Sequence, residues 1–298
     1  MTENTQNTSV PLPTSLTDNV NETDSNPLSQ YFRHTKLELD LPSAGKFYPK
    51  GALKTNNDGT VNVMAMTARD EIIMKSPEGL LSGNSIAETI SSCIPYIMDP
   101  WEMPAHDLDA ILIAIRLASY DKGLEITTNC SHCNHVNDDE IDLRILLDNI
   151  PRDGIANVHK INNMVFEFKP YTFEFLNTIN KAKFDQERLA RAVINEQSTD
   201  DDKSKYIESM FRELANHNTE TLVVAIDKVV LPDGIIVRDK QFLTEFITSA
   251  DRETIQAIRD KLTIMNESVS IKPITIKCSE CEEDYQTSVE FNQSNFFA

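Results

Sequence analysis

Leu124-Glu125-Ile126-Thr127-Thr128-Asn129-Cys130-Ser131-His132-Cys133 is the stretch from which the fold is read. Leu124–Thr128 predicts a strand that runs into a Cys-x-x-Cys turn. A second copy of the layout occurs far downstream, where Ile274–Lys277 leads into Cys278-Ser279-Glu280-Cys281 and Tyr285–Phe291 reads as a returning strand. A strand, a Cys-x-x-Cys turn and another strand make a knuckle that places two thiolates on one side. Two knuckles supply four sulfurs, the closed tetrahedral set of structural zinc, so Cys130, Cys133, Cys278 and Cys281 are the predicted metal ligands. An all-thiolate site leaves no open position for water or substrate, which points to folding energy rather than catalysis.

One Cys-x-x-Cys pair alone would be weak, but here two pairs sit on strand ends and use four of the five cysteines. The intervening 144 residues, Asn134–Lys277, exceed the usual compact spacing and predict a folded insertion. A thioredoxin-like redox motif would place its cysteines at the start of a helix in a βαβ pattern, which is not visible here. His132 and His135 are alternative ligands, although four thiolates already complete the coordination; they read as surface residues. Cys93 falls on the apolar face of a helix and reads as a small core hydrophobe.

The segment between the knuckles is mostly helical in pattern. Ile141–Ile150 fits either a short helix or irregular chain, and Met164–Phe168 alternates as a strand. Phe173–Ile194, Lys203–Ala215 and Arg252–Met265 predict helices. Val229–Leu231 and Ile235–Val237 flank Pro232-Asp233-Gly234, a hairpin signature.

N-terminal to the first knuckle, Leu37, Leu39 and Leu41 alternate with polar residues as a half-buried strand. Asn57-Asp58-Gly59 signals a tight turn, and Val61 and Val63 resume a strand beyond it. Thr67 is a predicted helix N-cap with Asp70 at the third helical position. Ser85 is predicted to cap a helix carrying Ile86, Ile90, Cys93, Ile94 and Ile97, which Pro95 ends or kinks. Asp107–Tyr120 is the clearest helix: Leu108, Ile111, Leu112 and Ile115 form a stripe with Ile113 and Leu117 beside it, a width that predicts burial on more than one side. Residues 1–30, rich in Thr, Asn, Ser, Asp and Pro, bury too little apolar surface to order and read as a flexible arm, inert or tethering.

Composition narrows the function. With 28 basic and 47 acidic residues the formal net charge is −19, the wrong sign for a phosphate backbone or an anionic membrane surface. The longest apolar stretches, such as Ala110–Ile115, are far shorter than the ~20 residues of a membrane span. Met1-Thr2-Glu3-Asn4 has neither the basic nor the apolar region of a signal peptide, so folding in a cytoplasm is expected, where structural disulfides are disfavoured. No Gly-x-Gly-x-x-Gly, Walker A, His-Glu-x-x-His or Gly-x-Ser-x-Gly occurs. Acidic runs such as Asp138-Asp139-Glu140 and Asp200-Asp201-Asp202 read as solvated surface.

Leu41-Pro42-Ser43-Ala44-Gly45-Lys46-Phe47-Tyr48-Pro49 resembles the opening Leu-Pro-Ser-x-Gly-x-x-Tyr-Pro of the T4-like bacteriophage baseplate proteins associated with the central hub. The likeness continues in Met66-Thr67-Ala68-Arg69-Asp70-Glu71, with Asp70 where that family has Glu, and in Ala110–Tyr120, similar to its buried helix. Cys130-Ser131-His132-Cys133 resembles the knuckle of its longer members. The resemblance covers residues 37–135 well and the remainder loosely. It implies a structural or assembly protein of a contractile tail, acting in hub assembly in the host cytoplasm or in the virion, through contacts with other baseplate and tail hub proteins. Charge, apolar run length and the missing motifs add the expectation of no enzyme, no nucleic acid and no membrane span, and oligomerisation in the assembly is compatible with this reading. Readings from other classes are a zinc-ribbon regulator of another cytoplasmic complex and a metal-dependent enzyme. Phe47-Tyr48-Pro49, Trp101 and Phe296-Phe297 are the candidate contact elements; core burial is the favoured reading for Phe47, Tyr48 and Trp101, and Phe296-Phe297 is the better interface candidate.

The expected fold is α+β: an arm over residues 1–33, a small β-containing unit with packed helices and the first knuckle over 34–137, a helix-rich insertion over 138–267, and a segment 268–298 whose second knuckle completes a split four-cysteine zinc ribbon.

Overall fold

Strand β1 (Thr35–Leu39) pairs antiparallel with β2 (Val61–Met64), setting Leu39 opposite Val61 and Leu37 opposite Val63. The alternation read in the sequence thus buries Leu39, Val61 and Val63 on one face. These coordinates are a computed structural model; the residues it describes are 26–120, 123–151, 155–195, 200–288 and 296. The chain divides into two units, 1–33 and 34–298. In the first, Pro27–Tyr31 makes a 3₁₀ turn whose Asn26 side chain accepts from the Leu28 N–H at 3.0 Å. The rest of the predicted arm, residues 1–25, lies outside the described residues.

In the larger unit, α1 (Ala68–Met74) opens with a full capping box: Thr67 accepts from the Asp70 N–H, and the Asp70 carboxylate accepts from the Thr67 N–H at 2.7 Å. The shorter acid still reaches; Asp70 is buried and also accepts from Ser92 Oγ at 3.0 Å. Helices α2 (Pro77–Ser82) and α3 (Asn84–Cys93) follow. The predicted Ser85 cap is corrected here. Gly83, at φ 76°, ends α2 and begins α3, so Ser85 already lies within the helix and donates to the Ile73 carbonyl at 2.8 Å. Helix α3 stops at Cys93, two residues before Pro95, and Cys93 is buried.

Helix α4 (Leu108–Ser119) is the central rod, and every residue from Ala110 to Ile115 is buried. It packs on β1, β2, α3 and α5 (Leu143–Asp148), which explains its wide apolar surface. Its entrance is fixed by Asp107, fully buried, whose carboxylate accepts from the Ser43 N–H at 2.8 Å, Ser43 Oγ at 2.6 Å and the Tyr48 hydroxyl at 2.9 Å. The Leu-Pro-Ser-x-Gly-x-x-Tyr-Pro stretch is therefore a loop wrapped around one buried carboxylate. Tyr48 and Trp101 are half-buried against this first core. Phe296 also inserts into it, and its carbonyl accepts from the Arg116 guanidinium. This corrects the expectation that Phe296 is an exposed contact; Phe297 lies outside the described residues.

A second core forms on a four-stranded antiparallel sheet, β5 (Val158–Ile161), β6 (Met164–Phe168), β7 (Ile226–Val230) and β8 (Ile236–Val237), paired in that order. Asn162 and Asn163, both at positive φ, turn β5 into β6, and Pro232-Asp233-Gly234 turns β7 into β8. The long helices α6 (Phe173–Asn195) and α7 (Asp200–Ala225) are inserted between β6 and β7, while α8 (Lys240–Ser249) and α9 (Arg252–Glu267) close the core over Phe166 and Phe168. Phe173 joins the first core, stacked on Trp101 at 5.1 Å, so the first turn of α6 links the two cores. The architecture is mixed helix and sheet, as expected. Among the described residues no helix is long and apolar enough to cross a membrane.

Candidate metal centre

Two β-hairpins carry the cysteines. Strand β3 (Leu124–Asn129) pairs with β4 (Val136–Ile141), and β9 (Ile274–Lys277) pairs with β10 (Asp284–Thr287). The turns between them have the same hydrogen-bond pattern. In the first, the Cys130 N–H donates to the His135 carbonyl at 2.9 Å and the Asn134 N–H to the Cys130 carbonyl at 3.0 Å. In the second, Cys278 donates to Glu283 at 3.0 Å and Glu282 to Cys278 at 3.1 Å. Asn134 and Glu282 both sit at φ 58°. Asn tolerates the left-handed region and Glu does not, so the second knuckle holds its turn against a local cost of ~1 kcal/mol or more.

The four sulfurs come together across the two hairpins. Cys130 Sγ lies 3.8 Å from Cys281 Sγ, and Cys133 Sγ lies 3.6 Å from Cys278 Sγ. All four lie within 4.8 Å of one another. Four sulfurs at ~2.3 Å from a tetrahedral centre stand about 3.8 Å apart, whereas a disulfide needs about 2.05 Å, so the spacing fits a metal cage and not a pair of disulfides. The first cysteine of each knuckle, Cys130 and Cys278, is 1% exposed, while Cys133 is exposed and Cys281 half-exposed. The cluster is therefore seated on its inner side and open to solvent on its outer side. His132 and His135 are exposed and stand outside it. Among the described residues no other group of His, Cys, Asp or Glu gathers in this way.

Crowding separates the thiols. Backbone N–H groups of Cys281 and Glu280, helped by Asn137, pull the Cys278 thiol down to about 6. At Cys281 the Glu283 N–H favours the thiolate, but burial and the neighbouring thiols Cys133, Cys278 and Cys130 override it and push the thiol up to about 12. Backbone N–H groups are already aimed at sulfur, such as His132 N–H on Cys130 at 3.4 Å, and a bound divalent cation would take the place of the competing protons. The residues present can thus hold a metal ion, and the all-sulfur set suits zinc or iron.

Asn137 is the residue that sequence reading missed. It is 3% exposed on β4, and its Oδ1 accepts from the Ser279 N–H at 2.9 Å and Ser279 Oγ at 2.8 Å. Its amide Nδ2 donates to the Tyr285 hydroxyl at 3.1 Å and faces Cys278 Sγ at 3.7 Å. Tyr285 in turn meets Thr128 Oγ1 at 2.5 Å. One buried amide thereby ties the first hairpin to the second knuckle. The available signal was the β4 alternation, which turns Asn137 and Ile141 to the buried side.

A family model described as T4 bacteriophage base plate protein matches residues 32–298. Comparison with curated proteins returns no match, and comparison with solved structures returns none.

Proposed function

The chain belongs to the T4 bacteriophage base plate protein family, and from that premise we propose that it acts as a structural or assembly component in building the central hub of the baseplate, through protein–protein contacts and without catalysis. The family match over residues 32–298 is the observation that carries this reading. The fit of the sequence supports it. The Ser43–Tyr48 loop, the Thr67–Asp70 box and the α4 rod serve the packing of the first core rather than forming a reaction centre.

In this reading Cys130, Cys133, Cys278 and Cys281 hold one structural zinc ion. When bound, zinc supplies a closed four-thiolate crosslink that contributes folding energy. The chain's own residues do the rest: the two knuckle turns aim N–H groups at sulfur, and Asn137 fixes the hairpins in register. The crosslink would join the β3–β4 and β9–β10 hairpins, which stand on either side of the segment that carries the second core. The site of action is the host cytoplasm during assembly, the virion tail, or both.

Mass spectrometry of purified virions, with co-purification from infected cells, tests this. Presence in the virion identifies a baseplate component; absence there with recovery on hub intermediates identifies an assembly factor. Recovery in neither overturns the proposal.

A further inference from the structure

A groove of about 630 Å³ lies where the Ser43–Pro49 loop meets the second core, outside the metal centre. Aromatic residues line it: Phe47 and Tyr48 from the loop and Phe175 from the first turns of α6. Phe47 stands at φ 70°, a left-handed conformation costly for a bulky residue, and packs against the second core. Such strain persists only where surrounding structure enforces it, so the wall is a built feature.

The groove is also acidic. Glu102, Glu174, Glu220 and Asp227, from four separate segments, face two lysines, Lys169 and Lys240. Among the described residues Glu102, Glu174 and Asp227 enter no ion pair, whereas Glu167 is neutralised by Lys228 at 2.6 Å. These carboxylates do not converge: no three of them gather at metal-binding distance. Dispersed negative charge over aromatic walls suits an elongated cation better than a point charge. Arg and Lys bury their stems against aromatic rings while their heads reach carboxylates.

We infer that this groove is a docking site for a Lys- or Arg-bearing segment of a partner protein, with cationic heads on Glu102, Glu174 and Asp227 and apolar groups against Phe47 and Phe175. The identity of the partner as a tail protein rests on the baseplate reading; the groove's preference for a cationic segment does not. The acidic rim also makes nucleic acid a poor occupant.

The test is photo-crosslinking during infection, with benzoylphenylalanine in place of Thr178, which lines the groove, and in place of exposed Thr275 on β9 as control. The expected product from Thr178 is one predominant peptide with net positive charge from a tail protein. Its yield should fall about tenfold in Glu174→Lys, and should hold or rise in Lys240→Glu, which preserves an exposed helix start. A cationic peptide from a protein outside the tail would keep the groove and overturn the baseplate reading. A yield no higher than from Thr275, a peptide without excess Lys and Arg, or equal loss in both charge variants would overturn the docking site.

Discussion

Asp107 grips Ser43 twice, taking its backbone N–H on one carboxylate oxygen at 2.8 Å and its hydroxyl on the other at 2.6 Å. The pair joins the start of α4 to a loop 64 residues earlier, and Tyr48 completes the clasp. Asp107→Ala leaves a buried N–H and two hydroxyls without their acceptor. It should cost roughly 3 kcal/mol, read as a lower denaturation midpoint, whereas Ser43→Ala should cost about 1 kcal/mol. Equal and negligible effects would show that the loop is held by something else.

The same carboxylate predicts a pH dependence. Burial pushes Asp107 up to about 6, with the Ser43 and Tyr48 hydrogen bonds pulling the other way. A carboxyl that binds its proton more tightly in the folded than in the unfolded chain makes stability fall as pH rises from about 4 to about 6. Asp58, held below the usual range by Thr60, and Asp251, held below it by Thr254, act in the opposite sense and only at lower pH. Urea denaturation of the native chain and of Asp107→Asn should therefore diverge across pH 4–6, by on the order of 3 kcal/mol, because the variant cannot gain from protonation there. Parallel curves would contradict the assignment.

Gly83 serves two helices at φ 76°, and a Cβ there would lie 2.8 Å from the Asn177 side chain, which itself bonds the Ser82 carbonyl. Gly83→Ala should destabilise by about 1–2 kcal/mol through backbone strain and this contact. The double variant with Asn177→Ala should recover only the contact's share. Full recovery in thermal melts would remove strain from the explanation.

Sequence periodicity exposed the parts of this fold that repeat locally. The α4 stripe, the β1 alternation and both Cys-x-x-Cys turns are patterns of neighbours, and each stands where its spacing puts it. What was not legible depends on partners far along the chain. Nothing near Asn137 announces that Ser279, 142 residues away, will take up its carboxamide. Phe296 reads in the sequence as an interface candidate, whereas it is buried beside Arg116, 180 residues earlier, whose guanidinium lies 5.3 Å from its ring. Helix α8 has no clear sequence signature because its threonines dilute the apolar pattern; Thr244 and Thr248 satisfy their hydroxyls on carbonyls four residues back, at 2.7 and 2.8 Å.

Asn137 should act as a positioning residue for the metal centre. Asn137→Ala removes the acceptor of the Ser279 N–H and a donor to Tyr285 without touching a cysteine. Chelator competition should show metal affinity reduced by about 10–100-fold, with the metal-to-protein ratio of the saturated chain unchanged. Unaltered affinity would mean that the two hairpins register through the metal alone.

Whether four thiolates from two distant knuckles enclose one zinc ion is decided by X-ray absorption at the zinc edge of the purified full chain. The expected spectrum is a single shell of four sulfurs at about 2.3 Å, lost together with thermal stability in Cys130→Ser and Cys278→Ser. A chain that binds no zinc, or zinc with nitrogen or oxygen in its first shell, would contradict it.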